Sequence, residues 1–140
     1  MTINNITQDD LDEFNYKPRF GTYQRIATKS AIYPGQGTAL GLMYVALKLN
    51  GEAGEFAEHV GKAMRDDFFG QYNHDAGGGD IPLTKERKDL LIKEVGDILW
   101  YLSAICNELN IDLFDTAVAN LEKLKSRSER NKLQGSGDLR

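Results

Sequence analysis

Four carboxylates in this chain stand in two pairs of one pattern. Glu52-Ala53-Gly54-Glu55 and Glu94-Val95-Gly96-Asp97 each read acid, small or β-branched apolar residue, glycine, acid. Residues three apart share one face of an α-helix, so each pair sets two negative charges side by side. Like charges at that spacing weaken an isolated helix by about a few tenths of a kcal/mol. A divalent cation between the two pairs is the simplest thing that offsets the repulsion. Neither pair sits on a plainly solvated face. With side chains advancing about 100° per residue, Glu52 borders an apolar stripe of Leu42, Val45, Leu49, Phe56 and Val60, with Lys48, Glu55, His59 and Lys62 on its other flank. Glu94 in the same way borders Leu91, Ile98, Leu102, Ile105 and Leu109, with Leu90, Asp97 and Tyr101 opposite. If the two stripes pack together, the acid pairs face each other. A single E-x-x-E is most often a solvated face; two of them at matching rims of core stripes are harder to dismiss. Gly54 and Gly96 fall on the side away from the acids. Each costs about 1 kcal/mol relative to alanine inside a helix, which close packing against another helix would explain.

The elements that must position these pairs are helices. The first helix is expected from Thr22 as cap to about Ile32, with Tyr23, Ile26 and Ala27 inward. Pro34-Gly35-Gln36-Gly37 breaks it, and the helix bearing Glu52 runs from near Thr38 to about Arg65. Thr84 caps the helix bearing Glu94, which runs to about Glu108; Asp112 caps a last helix whose core face is Leu113, Ala117, Leu121 and Leu124. No sustained strand alternation is present, so the expected fold is an all-α four-helix bundle forming one domain over residues 1–140. Around it, residues 1–21 read as an irregular arm or one short helical turn. Residues 66–83 read as a long connection with an aromatic cluster and a Gly77–Gly79 run, and 132–140 as a glycine-rich tail.

Composition narrows the chemistry. The net charge of −4 argues against an electrostatic nucleic-acid binder. A single cysteine, Cys106, rules out a disulfide framework, and no apolar run approaches a membrane span. With no signal-peptide pattern in the sequence, the expectation is a cytoplasmic protein. Four carboxylates with no cysteine or histidine at matching spacing suit a hard cation, Mg²⁺ or Mn²⁺. A di-iron bundle needs Glu-x-x-His on two helices, and neither His59 nor His74 has a glutamate three residues before it. Mg²⁺ is held by few carboxylates together with substrate phosphates. On the last helix Asn120, Lys123 and Arg127 form a polar and cationic stripe beside the apolar face. Such a stripe is usually just solvated, but beside two acid pairs it suits a polyphosphate held by metal and cations together.

These residues resemble a known family, the MazG-type all-α nucleoside triphosphate pyrophosphohydrolases, whose pattern is an E-x-x-E pair on one helix and an E-x-x-D pair on another. Gly51-Glu52-Ala53-Gly54-Glu55 and Lys93-Glu94-Val95-Gly96-Asp97-Ile98-Leu99-Trp100-Tyr101 carry the resemblance. Asn120 to Arg127 and the ending Gly135-Ser136-Gly137-Asp138 are similar to short, single-domain members, bacteriophage ones included. The resemblance implies that Glu52, Glu55, Glu94 and Asp97 bind Mg²⁺, or Mn²⁺ in its place. It implies that Lys123 and Arg127, with Asn120, meet the phosphates and sugar. The implied reaction is hydrolysis of an NTP or dNTP between the α and β phosphorus, giving a monophosphate and pyrophosphate, in a dimer or tetramer with sites completed across subunits. Lys62 and Tyr101, beside the acids, join the expected substrate-binding set. Many members carry another glutamate just before the leading acid; Gly51 stands there in this chain, so no fifth acid carries over to this helix.

Three readings compete for the same residues. The resemblance to phage members leans toward deoxynucleotides, dGTP first. A dUTPase-like or phosphoribosyl-ATP pyrophosphohydrolase would share the acids and differ in the base and sugar. A non-catalytic helical interaction module would use the acids only for solubility. Tyr101, Trp100 and the aromatic residues of the 66–83 connection are candidates to stack on a base, while Tyr101 packed in the core with its hydroxyl satisfied is an equal alternative.

Overall fold

In the computed structural model, residues 6–16, 19–66 and 83–129 are described. The expected connection and glycine-rich tail lie almost wholly outside them. Among the described residues every regular element is helical: α1 Gln8–Tyr16, α2 Phe20–Ala27, α3 Ala39–Asp66, α4 Lys85–Glu108 and α5 Leu113–Glu129, with a 3-10 turn at Thr28–Ser30 after α2. The all-α expectation holds. None of these helices is long and apolar enough to cross a membrane.

α3 and α4 form the body of the fold as an antiparallel hairpin. Glu108, at the end of α4, accepts hydrogen bonds from the Tyr33 hydroxyl at 2.6 Å and the Gly37 amide at 2.9 Å just before α3 begins. At the other end, Arg87 of α4 lies 3.5 Å from Asp66. The turn between these two anchors requires glycine. Gly35 and Gly37 have φ of 71° and 75°, a region that side-chain-bearing residues rarely adopt. At Gly41 a Cβ would come within 2.4 Å of the Gly35 carbonyl oxygen and 2.8 Å of the Glu108 carboxylate. Burial and the Glu108 carboxylate together push the Tyr33 hydroxyl pKa upward.

The caps follow the sequence where the signal is local. The Thr84 hydroxyl accepts the Arg87 amide at 3.2 Å, and Asp112 accepts the Phe114 amide at 2.6 Å. α4 stops at Asn110, which takes φ of 53° while Ile111 donates its amide back to Cys106, a left-handed helix end of the kind asparagine tolerates. α2 departs from expectation: it begins at Phe20, with Arg19 as a cap that makes no side-chain hydrogen bond, so Thr22 is not its cap. Its buried Gln24 replaces that local signal with tertiary bonds, donating to Asn107 at 2.7 Å and to the Ile111 carbonyl at 3.0 Å, and accepting the Leu113 amide at 2.7 Å.

Two further expectations are corrected. Where residues 1–21 were expected to be an irregular arm or one short helical turn, the described residues there include the nine-residue helix α1, which Asp10 and Glu13 fasten to Lys29 and Arg25 at 2.6 Å each, and Phe14 meets Tyr23 edge to face. The core face expected on the last helix is only half buried. Leu113 and Ala117 are partly covered, but Leu121 and Leu124 are exposed, because α5 packs on α2 and α4 and makes no contact with α3.

Candidate metal centre

The antiparallel register of α3 and α4 sets Glu52 opposite Glu94 and Asp97. One carboxylate oxygen from each of these three residues lies within 4.8 Å of the others. Glu94 is buried, Glu52 is partly covered and Asp97 is open to solvent, so the cluster is a half-sunken patch at the rim of the helix interface. An open cleft of about 370 Å³ adjoins it, lined by Glu52, Asp97, Trp100 and Tyr101.

Electrostatics agree with the geometry. The Glu52 carboxyl is held above its ordinary pKa, first by burial and then by the negative charges of Glu55, Asp97 and Glu94, with Lys48 pulling the other way. Three carboxylates brought this close repel one another, and an oxygen-only donor set of this kind fits a hard divalent cation. The residues present therefore fit the group that the two acid pairs suggested.

The expected site residues divide into those that converge and those that do not. Glu52, Glu94 and Asp97 converge. Glu55 is exposed on α3 and lies outside the convergent trio, although Glu52 feels its charge. Tyr101 lines the cleft, with its hydroxyl pKa raised by burial. Lys62 is paired with Glu58 at 2.7 Å one turn away on its own helix. Asn120, Lys123 and Arg127 lie on α5, which does not touch α3, and Arg127 is buried there. Trp100 lines the cleft but is anchored elsewhere: its indole N–H donates to the Ala27 carbonyl at 3.0 Å and the Ser30 hydroxyl at 3.1 Å. The Gly54 and Gly96 faces have open space where a Cβ would stand, so no helix of this chain among the described residues explains them.

Two residues at the site were not assigned a role from sequence. Lys48 places its ammonium 3.7 Å from Glu52 Oε1. His59, two turns after Glu52 on α3, places Nε2 3.4 Å from Glu94 Oε1. Their spacing from Glu52 in the sequence, four residues before and seven after, is the signal that puts both on its face of the helix.

Fold and site define an all-α protein with a carboxylate centre between two antiparallel helices. Residues 43–131 match the MazG nucleotide pyrophosphohydrolase domain, and the chain belongs to that family. It is similar to the Gene 37 protein of Mycobacterium phage L5, 41% identical over 121 residues that cover 84% of this chain and 96% of that protein. No solved structure matches the chain.

Proposed function

We propose that the chain hydrolyses nucleoside triphosphates, deoxynucleotides foremost and dGTP first among them, to the monophosphate and pyrophosphate. The observation that carries this reading is the convergence of Glu52, Glu94 and Asp97 within 4.8 Å across the α3–α4 interface, in a chain of the MazG family. These three, with Glu55 as a fourth carboxylate nearby, would hold Mg²⁺. When bound, the cation supplies charge neutralisation at the phosphates and lowers the pKa of an attacking water.

The chain's own residues do the rest. Glu52, its carboxyl held above the ordinary pKa, shares the repulsion of its neighbours until a cation relieves it. Tyr101 offers an aromatic face in the cleft beside Asp97 and Glu52, a position suited to stacking on a base, which gives affinity with little discrimination. Lys123 and Arg127, with Asn120, are assigned to the phosphates and sugar. Because α5 does not touch α3, this assignment goes with a homo-dimer or homo-tetramer in which one copy completes the site of another. Neither nucleic acid nor a membrane surface is a partner in this reading, and with a lone buried thiol at Cys106 the protein is assigned to the cytoplasm.

The test is pyrophosphate release by the purified chain from dGTP, dATP, dCTP, dTTP, dUTP and the ribonucleotides, with Mg²⁺ and with chelator. Metal-dependent release with dGTP fastest is the expected result. Release from dUTP alone would move the chain to the dUTPase-like reading. No release from any nucleotide would favour the interaction module.

A further inference from the structure

We propose that His59 is a positioning residue for this centre, orienting the Glu94 carboxylate from across the helix interface. The inference rests on the reading of Glu52, Glu94 and Asp97 as the metal centre. His59 comes from α3 and Glu94 from α4. Their Nε2 and Oε1 atoms are 3.4 Å apart, and both side chains are largely covered, 22% and 12% exposed. That separation is a close approach and not a formed hydrogen bond; contacts at ligand-free sites are often long or poorly aligned and tighten when the ligand binds.

The other nitrogen of the ring decides what His59 does. Nδ1 is buried and has no hydrogen-bond partner among the described residues. In a neutral imidazole one nitrogen donates and the other accepts. A proton on Nδ1 would be a buried donor with nothing to receive it, the arrangement folded proteins avoid. The proton therefore belongs on Nε2, the nitrogen that faces Glu94, where a carboxylate can accept it. When that contact tightens, a carboxylate held through one oxygen has the direction of its other oxygen fixed. Metal ligands are commonly held by such partners, and removing one typically costs about tenfold to a hundredfold in metal affinity. A residue that only filled the interface would need no nitrogen: a leucine packs the same volume and leaves no polar atom buried.

The test is direct titration with Mn²⁺, free ion followed by electron paramagnetic resonance, on wild type, His59→Leu and His59→Gln without nucleotide. Glutamine sets an N–H close to the position of Nε2; leucine offers none. His59→Leu is expected to bind Mn²⁺ about tenfold to a hundredfold more weakly, with His59→Gln recovering most of the loss and the metal-free variants retaining their helicity. Wild-type affinity in His59→Leu, or equal affinities in the two variants, would overturn the inference. If His59→Leu does not fold, His59→Asn replaces it, because its shorter amide stops short of Glu94; equal binding by Asn and Gln variants then overturns the inference as well. Failure of wild type itself to bind Mn²⁺ would bring down the metal-centre reading and His59 with it. Tight binding unaffected by His59 brings down His59 alone.

Discussion

At the scale of single residues, the proposed chemistry rests on three converging carboxylates and the groups beside them. Asp97 is the donor open to solvent, so its replacement tests the centre with the least disturbance of packing. Asp97→Asn keeps the volume and removes the charge. It should leave the helical fold intact, and the metal-free protein should melt no lower than wild type, since one of the charges that Glu52 feels is gone. Turnover in Mg²⁺ should fall by more than about a hundredfold, because a metal's charge stabilisation is worth several kcal/mol and each 1.36 kcal/mol is tenfold in rate. Initial rates and melting curves on the same preparations check both halves; a wild-type rate would remove Asp97 from the centre. The pairing of acids along each helix was legible in the sequence because helical spacing is local; that Glu52, Glu94 and Asp97 converge while Glu55 stays outside was not. The approach of His59 to Glu94 was not legible. It depends on the register of α3 against α4, which no spacing within either helix specifies.

At the scale of elements, the contrast is between helices that announce themselves and helices made by their neighbours. α3 and α4 carry long apolar stripes and were read nearly to their ends. α1 has little apolar pattern of its own; the Asp10 amide donates to the Thr7 hydroxyl at 3.3 Å and the Asp10 carboxylate accepts the Thr7 amide at 3.0 Å, a local cap, while Lys29, Arg25 and Tyr23 add partners that no local reading supplies. The Asp10 carboxyl is held down from its ordinary value of 3.8 to about 2, chiefly by the Lys29 ammonium and then by the Thr7 amide. A depressed carboxylate contributes stability above its unfolded pKa and loses it as pH falls through the folded value. Asp10→Asn should therefore melt below wild type at neutral pH, by a margin that stays constant down to about pH 4 and closes between there and about pH 2; thermal melts across that range check it. α5 carries the other prediction at this scale. Lys123→Ala and Arg127→Ala should each raise KM or lower kcat for triphosphates by about tenfold to a hundredfold, the scale of a lost charge-assisted hydrogen bond, with helicity kept. Unchanged kinetics in both would remove Lys123 and Arg127 from the substrate site and leave the stripe a structural role.

At the scale of the molecule, the described surface carries many exposed apolar side chains. The buried apolar set is thin, Ile26, Ala27, Val45, Ala63, Ala104 and Cys106. Ile92, Val95 and Leu102 on α4 and Phe114, Leu121 and Leu124 on α5 are exposed, Ile92 by 58% and Leu121 by 65%. Positions 92, 95, 99 and 102 recur at the three- and four-residue intervals of a helix-packing seam. Gly51, Gly54, Gly61 and Gly96 leave room for a backbone to approach. Exposed apolar residues on one helix face mark interaction surfaces when they join into a patch, and a second copy over these faces is the proposed cover. It would also explain why Leu121 and Leu124 read as core from sequence: periodicity marks a face that will be buried and is silent on whether the same chain buries it. Sedimentation of the wild type at micromolar concentration should show at least a dimer. Ile92→Glu places a charge on the α4 seam and Leu121→Glu one on the exposed face of α5, and a charge desolvated without a partner costs several kcal/mol. Each should shift the distribution toward monomer and lower the melting temperature, and pyrophosphate release should fall in step with the loss of assembly if one copy completes the site of another. A wild-type monomer that is stable and fully active would contradict the assembly and require Lys123 and Arg127 to serve the acids of their own chain.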